Sequence, residues 1–242
     1  MSINFSYMKY SKLARIYFPG KLTTKSSIYI SQKEKNYIKN VLRIKSGGKI
    51  RVFNQIDGEF LATLNVTQND TILTINEKFR TIAEEETWDL VLLLPLIKSD
   101  KFELACDMAT QMGVTRILPI ITERTGPHKL NLERLEKIIL ESVRQSERLS
   151  LPVISEPVKL FLIFSLPLQV IFANEMEESN FSFPEINKEI RQNIGLLVGP
   201  EGGFTEQEID YLKKNGAVSI SLGQNVLRTE TAAVSLLSKF TT

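Results

Sequence analysis

The sequence predicts an α/β protein in two modules: a small, basic β-barrel domain over residues 1–80, then a mostly parallel sheet flanked by helices over residues 81–242. Charge is partitioned between them. Residues 1–80 hold 14 Lys/Arg against 5 Asp/Glu, a net of +9, and residues 81–242 hold 16 against 23, a net of −7. Short alternating apolar runs fill the first part, whereas continuous apolar runs alternate with stretches of helical period in the second. A chain of 242 residues, 43% of them apolar, has enough material for one large core or two modest ones.

In the basic module, a helix begins at the capping box Ser31-Gln32-Lys33-Glu34 and runs to about Leu42. Lys49 to Phe53 and Glu59 to Val66 read as strands separated by a turn ending in Asp57-Gly58, and Asn69-Asp70 turns the chain into Thr71 to Glu77. The result is a meander that closes into a small barrel or half-barrel. It has too few residues to enclose a metabolite comfortably, but its basic surface suits a polyanion. A merely solvated lysine-rich surface is the competing reading. Thr81 to Glu86, acidic and without apolar pattern, is the expected linker, and the second domain is expected to start at Trp88.

From there strand and helix alternate. Leu90 to Leu96 is a buried strand, and a helix from about Asp100 to Met112 is stopped by Gly113, which tolerates the left-handed conformation past a helix end. Arg116 to Ile121 is the next strand, followed by an amphipathic helix over about Leu132 to Arg148 with Leu135, Ile138, Ile139, Ser142 and Val143 on one side. Further strands are expected at Val170 to Ala173, Ile194 to Val198 and Val218 to Leu222, and an acidic surface loop at Glu175 to Asn187. A helix opens at the capping box Thr205-Glu206-Gln207-Glu208 and ends before Gly216, and a last one spans about Glu230 to Phe240.

Composition excludes several chemistries. Cys106 is the only cysteine and sits on the apolar face Phe102, Ala105, Cys106, Ala109, Met112, so it reads as a core residue rather than a nucleophile. His128 is likewise alone. A zinc site, a Cys/His pair or a Ser-His-Asp triad lacks its partners, and no metal is expected. With neither an eighteen-residue apolar run nor an apolar stretch in the first fifteen positions, the expectation is a cytoplasmic protein with no membrane association.

Two loops carry the chemistry. In Leu196-Leu197-Val198-Gly199-Pro200-Glu201-Gly202-Gly203-Phe204 an apolar strand delivers the chain into three glycines and a proline, then into a capped helix. Backbone is thereby exposed at the carboxyl end of a strand, where ligands collect, and a flat ring could be read by main-chain N–H and C=O groups. Neither a P-loop nor a dinucleotide fingerprint is present. By itself the loop fits a small-ligand site or a plain strand-to-helix turn. The second, Leu222-Gly223-Gln224-Asn225-Val226-Leu227-Arg228-Thr229-Glu230-Thr231-Ala232, also leaves a strand through glycine and enters a helix. Arg228 there is placed to hold an anion. Glu230 is either functional or a routine first-turn partner of the helix dipole.

Together, Gly199-Pro200-Glu201-Gly202-Gly203, Leu222-Gly223 and Leu227-Arg228-Thr229-Glu230-Thr231-Ala232 resemble the knotted SPOUT-class methyltransferases. Within them the chain is similar to the RsmE-type enzymes that methylate N3 of a uridine in small-subunit (16S) ribosomal RNA. Arg15-Ile16-Tyr17 and Val41-Leu42-Arg43 resemble that family's PUA-like RNA-binding domain. Pro95, Lys98, Asp100-Lys101 and Glu103 match its first motif, Thr122-Glu123-Arg124 its second, and Gln145-Ser146 with Arg148 and Pro152 its third. The resemblance runs from Arg15 to Leu237, with departures at Met108, Gln111 and Glu147.

The resemblance implies a SPOUT-type knotted parallel sheet flanked by helices, preceded by a small PUA-like β-barrel. Chain-topology rules alone predict an unknotted sheet. It also implies S-adenosyl-L-methionine as cofactor, bound by Leu197, Gly199, Pro200, Glu201, Gly202, Gly203, Leu222, Gly223 and Leu227. Ribosomal RNA or the small ribosomal subunit is the implied partner, and a homodimer the implied assembly. Arg228 and Glu230 are the expected catalytic pair, and Arg15, Arg43, Lys98, Arg124 and Arg148 the expected phosphate contacts. The alternatives are a SPOUT-type ribose 2′-O-methyltransferase and a non-catalytic RNA-binding or ribosome-assembly protein.

Overall fold

The computed structural model describes residues 9–67, 70–84, 89–177 and 193–240. Their contacts divide the chain into two compact units, residues 1–86 with 147–150, and residues 87–146 with 151–242.

The first unit is a curled five-stranded sheet. Strands β1 (Arg15–Tyr17), β2 (Ser27–Tyr29), β3 (Lys49–Asn54), β4 (Gly58–Val66) and β5 (Thr71–Arg80) lie in the order β1-β3-β4-β5-β2. Only β1 and β3 run parallel, in the register Arg15 opposite Arg51. The β3-β4-β5 meander follows from the period-two apolar pattern. Ile50, Val52, Phe60, Ala62, Leu64, Leu73 and Ile75 point into one core, joined by Ile16, Ile28 and Ile38. Register shifts between Glu59 and Phe60 and between Leu61 and Ala62 bend β4, which is how so small a sheet curls around its core. The Ser31 capping box forms as expected, but regular helix α1 covers only Gln32–Asn36 and passes into a wider π turn at Tyr37–Val41.

The second unit is a seven-stranded sheet in which every pairing is parallel. Strands β6 (Leu90–Pro95), β7 (Arg116–Ile121), β8 (Val153–Ile154), β10 (Gln169–Ala173), β11 (Ile194–Leu197) and β12 (Val218–Ile220) follow the order β12-β10-β11-β6-β7-β8, with β9 (Val158–Lys159) also on β7. All six residues of β6 are buried, the mark of a strand covered on both faces. One face packs Val91, Leu93, Leu197 and Phe172 against Leu160, Ile163 and Leu212. Helices α2 (Ser99–Gln111), α3 (Leu132–Gln145), α4 (Glu206–Lys214) and α5 (Thr229–Ser238) complete the unit, with α2 against both α3 and α5. Helix α2 ends where Gly113 adopts φ +94. Cys106 on it is fully buried, and burial pushes its thiol far above the ordinary range. No helix among the described residues is long and apolar enough to cross a membrane.

Several boundaries differ from the sequence reading. Helix α3 stops at Gln145 rather than reaching Arg148, because Glu147 takes φ +63 and turns the chain out of the helix. Strand β12 ends at Ile220, and β5 continues to Arg80. The edge strands β1, β2, β8 and β9 and the 3-10 turn Leu160–Ser165 carried too few residues to be read locally. Trp88, Asn69, linker residues 85 and 86 and most of the acidic loop lie outside the described residues, and the start of the linker forms a 3-10 turn at Ile82–Glu84.

Candidate active site

Strands β12, β10 and β11 are neighbours and parallel, so their carboxyl ends open on one edge of the sheet. The chain leaves them as the segments 174–177, 198–205 and 221–228. These three segments line a cleft of about 220 Å³. Two side chains fix the frame. Asn174, 7% exposed, donates from Nδ2 to Ser219 Oγ at 3.2 Å and accepts the Met176 N–H at 3.1 Å. Thr229 Oγ1 donates to the Gly199 carbonyl at 2.9 Å, tying the second glycine loop to the first.

Among the described residues, four glycines, at positions 199, 202, 203 and 223, line the cleft. Gly203 and Gly223 hold φ +69 and +131, where an L side chain is strained, and a methyl at Gly223 would meet no atom within 4 Å. Among the described residues, the N–H groups of Leu222 and Leu227 meet no hydrogen-bond partner, leaving donors for a ligand edge. Phe204, edge-on to Phe172 at 6.1 Å between ring centres, supplies an apolar wall. A cleft that mixes apolar side chains with hydrogen-bonding groups suits a flat heteroaromatic ring with polar edges.

Of the expected cofactor contacts, Gly199, Pro200, Glu201, Gly202, Gly203, Leu222, Gly223 and Leu227 line this cleft. Leu197 does not. Its side chain is fully buried in the core beneath, because odd and even positions of β11 face opposite sides. The sequence reading missed Ala173, Asn174, Glu175 and Met176, which line the third side. Their signal was the strand Val170 to Ala173, whose exit loop becomes part of the site only once β10 is known to lie between β12 and β11.

Arg228 is the N-cap residue of α5, exposed, and among the described residues its guanidinium makes no hydrogen bond. Two positions on, Glu230 is 8% exposed, with Lys101 Nζ of α2 at 3.9 Å from its carboxylate. The helix thus begins with a free cation beside a shielded anion.

The five expected phosphate contacts separate. Arg43 and Lys98 are exposed. Arg124 is exposed as well, but its Nη1 donates to the Gly202 carbonyl at 2.6 Å. Arg15 and Arg148 do not hold as phosphate contacts, for they are 6% and 8% exposed. Arg15 donates to Glu59 at 2.8 Å and to the Arg148 carbonyl at 2.5 Å, with its guanidinium 3.6 Å from the centre of the Phe53 ring. Arg148 donates to Ser150 Oγ at 2.8 Å. Around them, Arg51 holds Glu147 bidentately at 2.5 and 2.7 Å, and Arg80 lies 3.5 Å from Glu59. These cations serve the interior of the first unit. Glu147, a departure from the family pattern, joins the buried Glu59 as counterion to Arg51 and Arg15.

Residues 84–241 match the model of an RNA methyltransferase domain, and residues 30–75 that of an RNA methyltransferase PUA domain. The chain is 38% identical over 238 residues to ribosomal RNA small subunit methyltransferase E of Rickettsia conorii, covering 96% of this chain and 95% of the relative. The protein of the same name from Mesomycoplasma hyopneumoniae is 34% identical, with 84% and 89% covered. A methyltransferase of Legionella pneumophila, solved with bound S-adenosylmethionine, superposes with a TM-score of 0.77 at 25% identity, over 95% of this chain and 97% of that one. The methyltransferase E of Neisseria gonorrhoeae shares the fold, with a TM-score of 0.77 at 23% identity over 94% and 96% of the two chains.

Proposed function

This chain belongs to the RNA methyltransferase family, among the small-subunit methyltransferase E proteins, and from that premise we propose that it methylates N3 of a uridine in small-subunit ribosomal RNA with S-adenosylmethionine. The observation that carries the proposal is the glycine-walled cleft at the carboxyl ends of β10, β11 and β12, with the unpaired Arg228 following directly on its lining residue Leu227. The bound cofactor supplies a methyl group on a positively charged sulfur. Everything else falls to the chain's own residues.

Main-chain groups of Leu222 and Leu227 and the bare faces of Gly203 and Gly223 would hold the adenosine. Because N3 lies on the pairing edge, the uridine must be unpaired or turned out of a helix when it enters. N3 must also lose its proton. If it titrates about two units above neutral, forming the anion costs roughly 3 kcal/mol. A preorganised cationic donor in a dry site supplies on the order of 3 to 4 kcal/mol. Arg228, exposed and unpaired before RNA binds, becomes that donor once the bound strand covers it and excludes water, holding the charge that develops on the uracil carbonyl oxygens, while the proton passes to Glu230 or to solvent. The new bond is N3 to methyl carbon, and the bond broken is methyl carbon to sulfur.

Arg43 and Lys98 contact RNA phosphates in this reading, and the working form is a homodimer. The knot that the family resemblance implies is part of the same proposal, formed by the segments that follow β11 and β12. Incubating the protein with unmethylated small-subunit ribosomal RNA and the methyl donor, then analysing nucleosides by mass spectrometry, tests the reaction. 3-Methyluridine is the expected product. A ribose-methylated nucleoside, or no product on either free RNA or assembled subunits, would refute it.

A further inference from the structure

The turn between β7 and α3 is built against the cofactor loop. Thr122, 6% exposed, donates its N–H to Thr125 Oγ1 at 2.9 Å, and the two hydroxyls meet at 2.8 Å. The Glu123 N–H donates to Glu208 Oε1 at 2.8 Å, while Glu208 Oε2 accepts the Thr205 N–H at 3.0 Å. Glu208 is fully buried, so one carboxylate bolts this turn to the start of α4, directly after the glycine loop. Thr205 Oγ1 adds a bond to the Glu123 carboxylate at 3.2 Å.

On that footing stands Arg124. Its Nη1 donates to the Gly202 carbonyl at 2.6 Å, with the Phe204 carbonyl at 3.5 Å, and its stem crosses Gly202 so closely that a Cβ there would lie 3.4 Å from the arginine Cβ and Cδ. A methyl on Gly203 would come 3.8 Å from Glu175 Oε1 and 4.0 Å from Arg124 Nη1, so a carboxylate and a guanidinium flank the same stretch of main chain. A loop of three glycines has many conformations to lose on binding, and an external clamp on its carbonyl removes part of that loss beforehand.

We propose that Arg124 is a positioning residue, which clamps the loop at Gly202 and so sets cofactor affinity, rather than a contact to RNA phosphate. This rests on the functional reading above, since it supposes that the cleft binds the methyl donor. Arg124→Ala and Arg124→Lys are compared with the parent by calorimetry with S-adenosylmethionine and with its demethylated product. Binding of a small-subunit ribosomal RNA fragment is measured across salt concentrations, and KM and kcat are separated.

Arg124→Ala is expected to weaken cofactor binding about tenfold, roughly 1.4 kcal/mol, and to raise KM for the cofactor with kcat little changed. RNA affinity and its salt dependence should stay at parent values, and lysine, which keeps a donor for the same carbonyl, should restore most of the loss. Unaltered cofactor affinity in Arg124→Ala overturns the proposal. So does a weakened RNA affinity with a salt slope shallower by about 0.7, the signature of one lost phosphate contact on single-stranded RNA. A parent protein that binds neither form of the cofactor instead overturns the functional reading itself, so the two failures are distinct.

Discussion

At the scale of single residues, sign of charge says nothing about where a cation ends up. Arg15 and Arg228 look equivalent in a list of basic residues, yet Arg15 is buried against Glu59 and Phe53 whereas Arg228 keeps its donors unspent at the mouth of a helix. The difference predicts opposite phenotypes. Arg228→Ala should reduce methyl transfer at least about a hundredfold, as removal of a donor to a developing oxyanion does, with cofactor affinity within twofold of the parent. Near-normal turnover by that variant would remove Arg228 from the mechanism. Glu59→Gln should act on stability instead. Glu59 is fully buried with Arg15, Arg51 and Arg80 within 2.8 to 3.5 Å, so neutralising it leaves cations without their anion, at a cost of about 3 to 5 kcal/mol. Chemical denaturation measures this, and a change below about 1 kcal/mol would mean that Glu147 alone balances the cluster.

At the scale of elements, what was legible in the sequence is what local chemistry decides. Both capping boxes, at Ser31 and Thr205, form with reciprocal bonds, and β7 spans Arg116–Ile121 as its apolar run implied. Elements stabilised by partners far along the chain were not legible. Strand β1 exists because it pairs with β3, thirty-six residues on, and β8 and β9 are two-residue strands paired to β7. The glycine loops of the site announced themselves, but the contribution of 173–176 depended on strand order, which no local pattern encodes. The turn after β3 shows how much a short element can hold. Asn54 accepts the Ile56 N–H at 3.0 Å and donates to Asp57 at 3.0 Å, and Asp57 accepts the Leu22 N–H at 2.8 Å. The Leu22 bond first, then Asn54, hold the Asp57 carboxyl below its ordinary value of 3.8. A depressed folded-state value contributes stability that is present above the unfolded value and lost as pH falls through the folded one. Asp57→Asn should therefore be less stable than the parent near neutrality and converge with it on acidification below about pH 3.8, in parallel denaturation series. A gap independent of pH would assign the effect to shape rather than charge.

At the scale of the whole molecule, the partition of +9 in residues 1–80 against −7 in residues 81–242 poses a problem for binding a polyanion, because the two fields nearly cancel at a distance. Screening resolves it. At physiological ionic strength fields fade over about 8 Å, so an RNA strand in contact with the basic module responds to the cations it touches and little to charges beyond that distance. Binding then depends on a few close pairs, and salt should reveal their number. Lys39 and Arg43 are exposed near the π turn that ends α1, and replacing both with alanine should reduce the slope of log affinity against log salt by about 1.4, at roughly 0.7 per phosphate contact on single-stranded RNA. Cofactor affinity should not move, since the cleft is lined entirely by residues 173–232. An unchanged slope would mean that Lys39 and Arg43 are solvated surface, and that RNA is held by other cations of the first module.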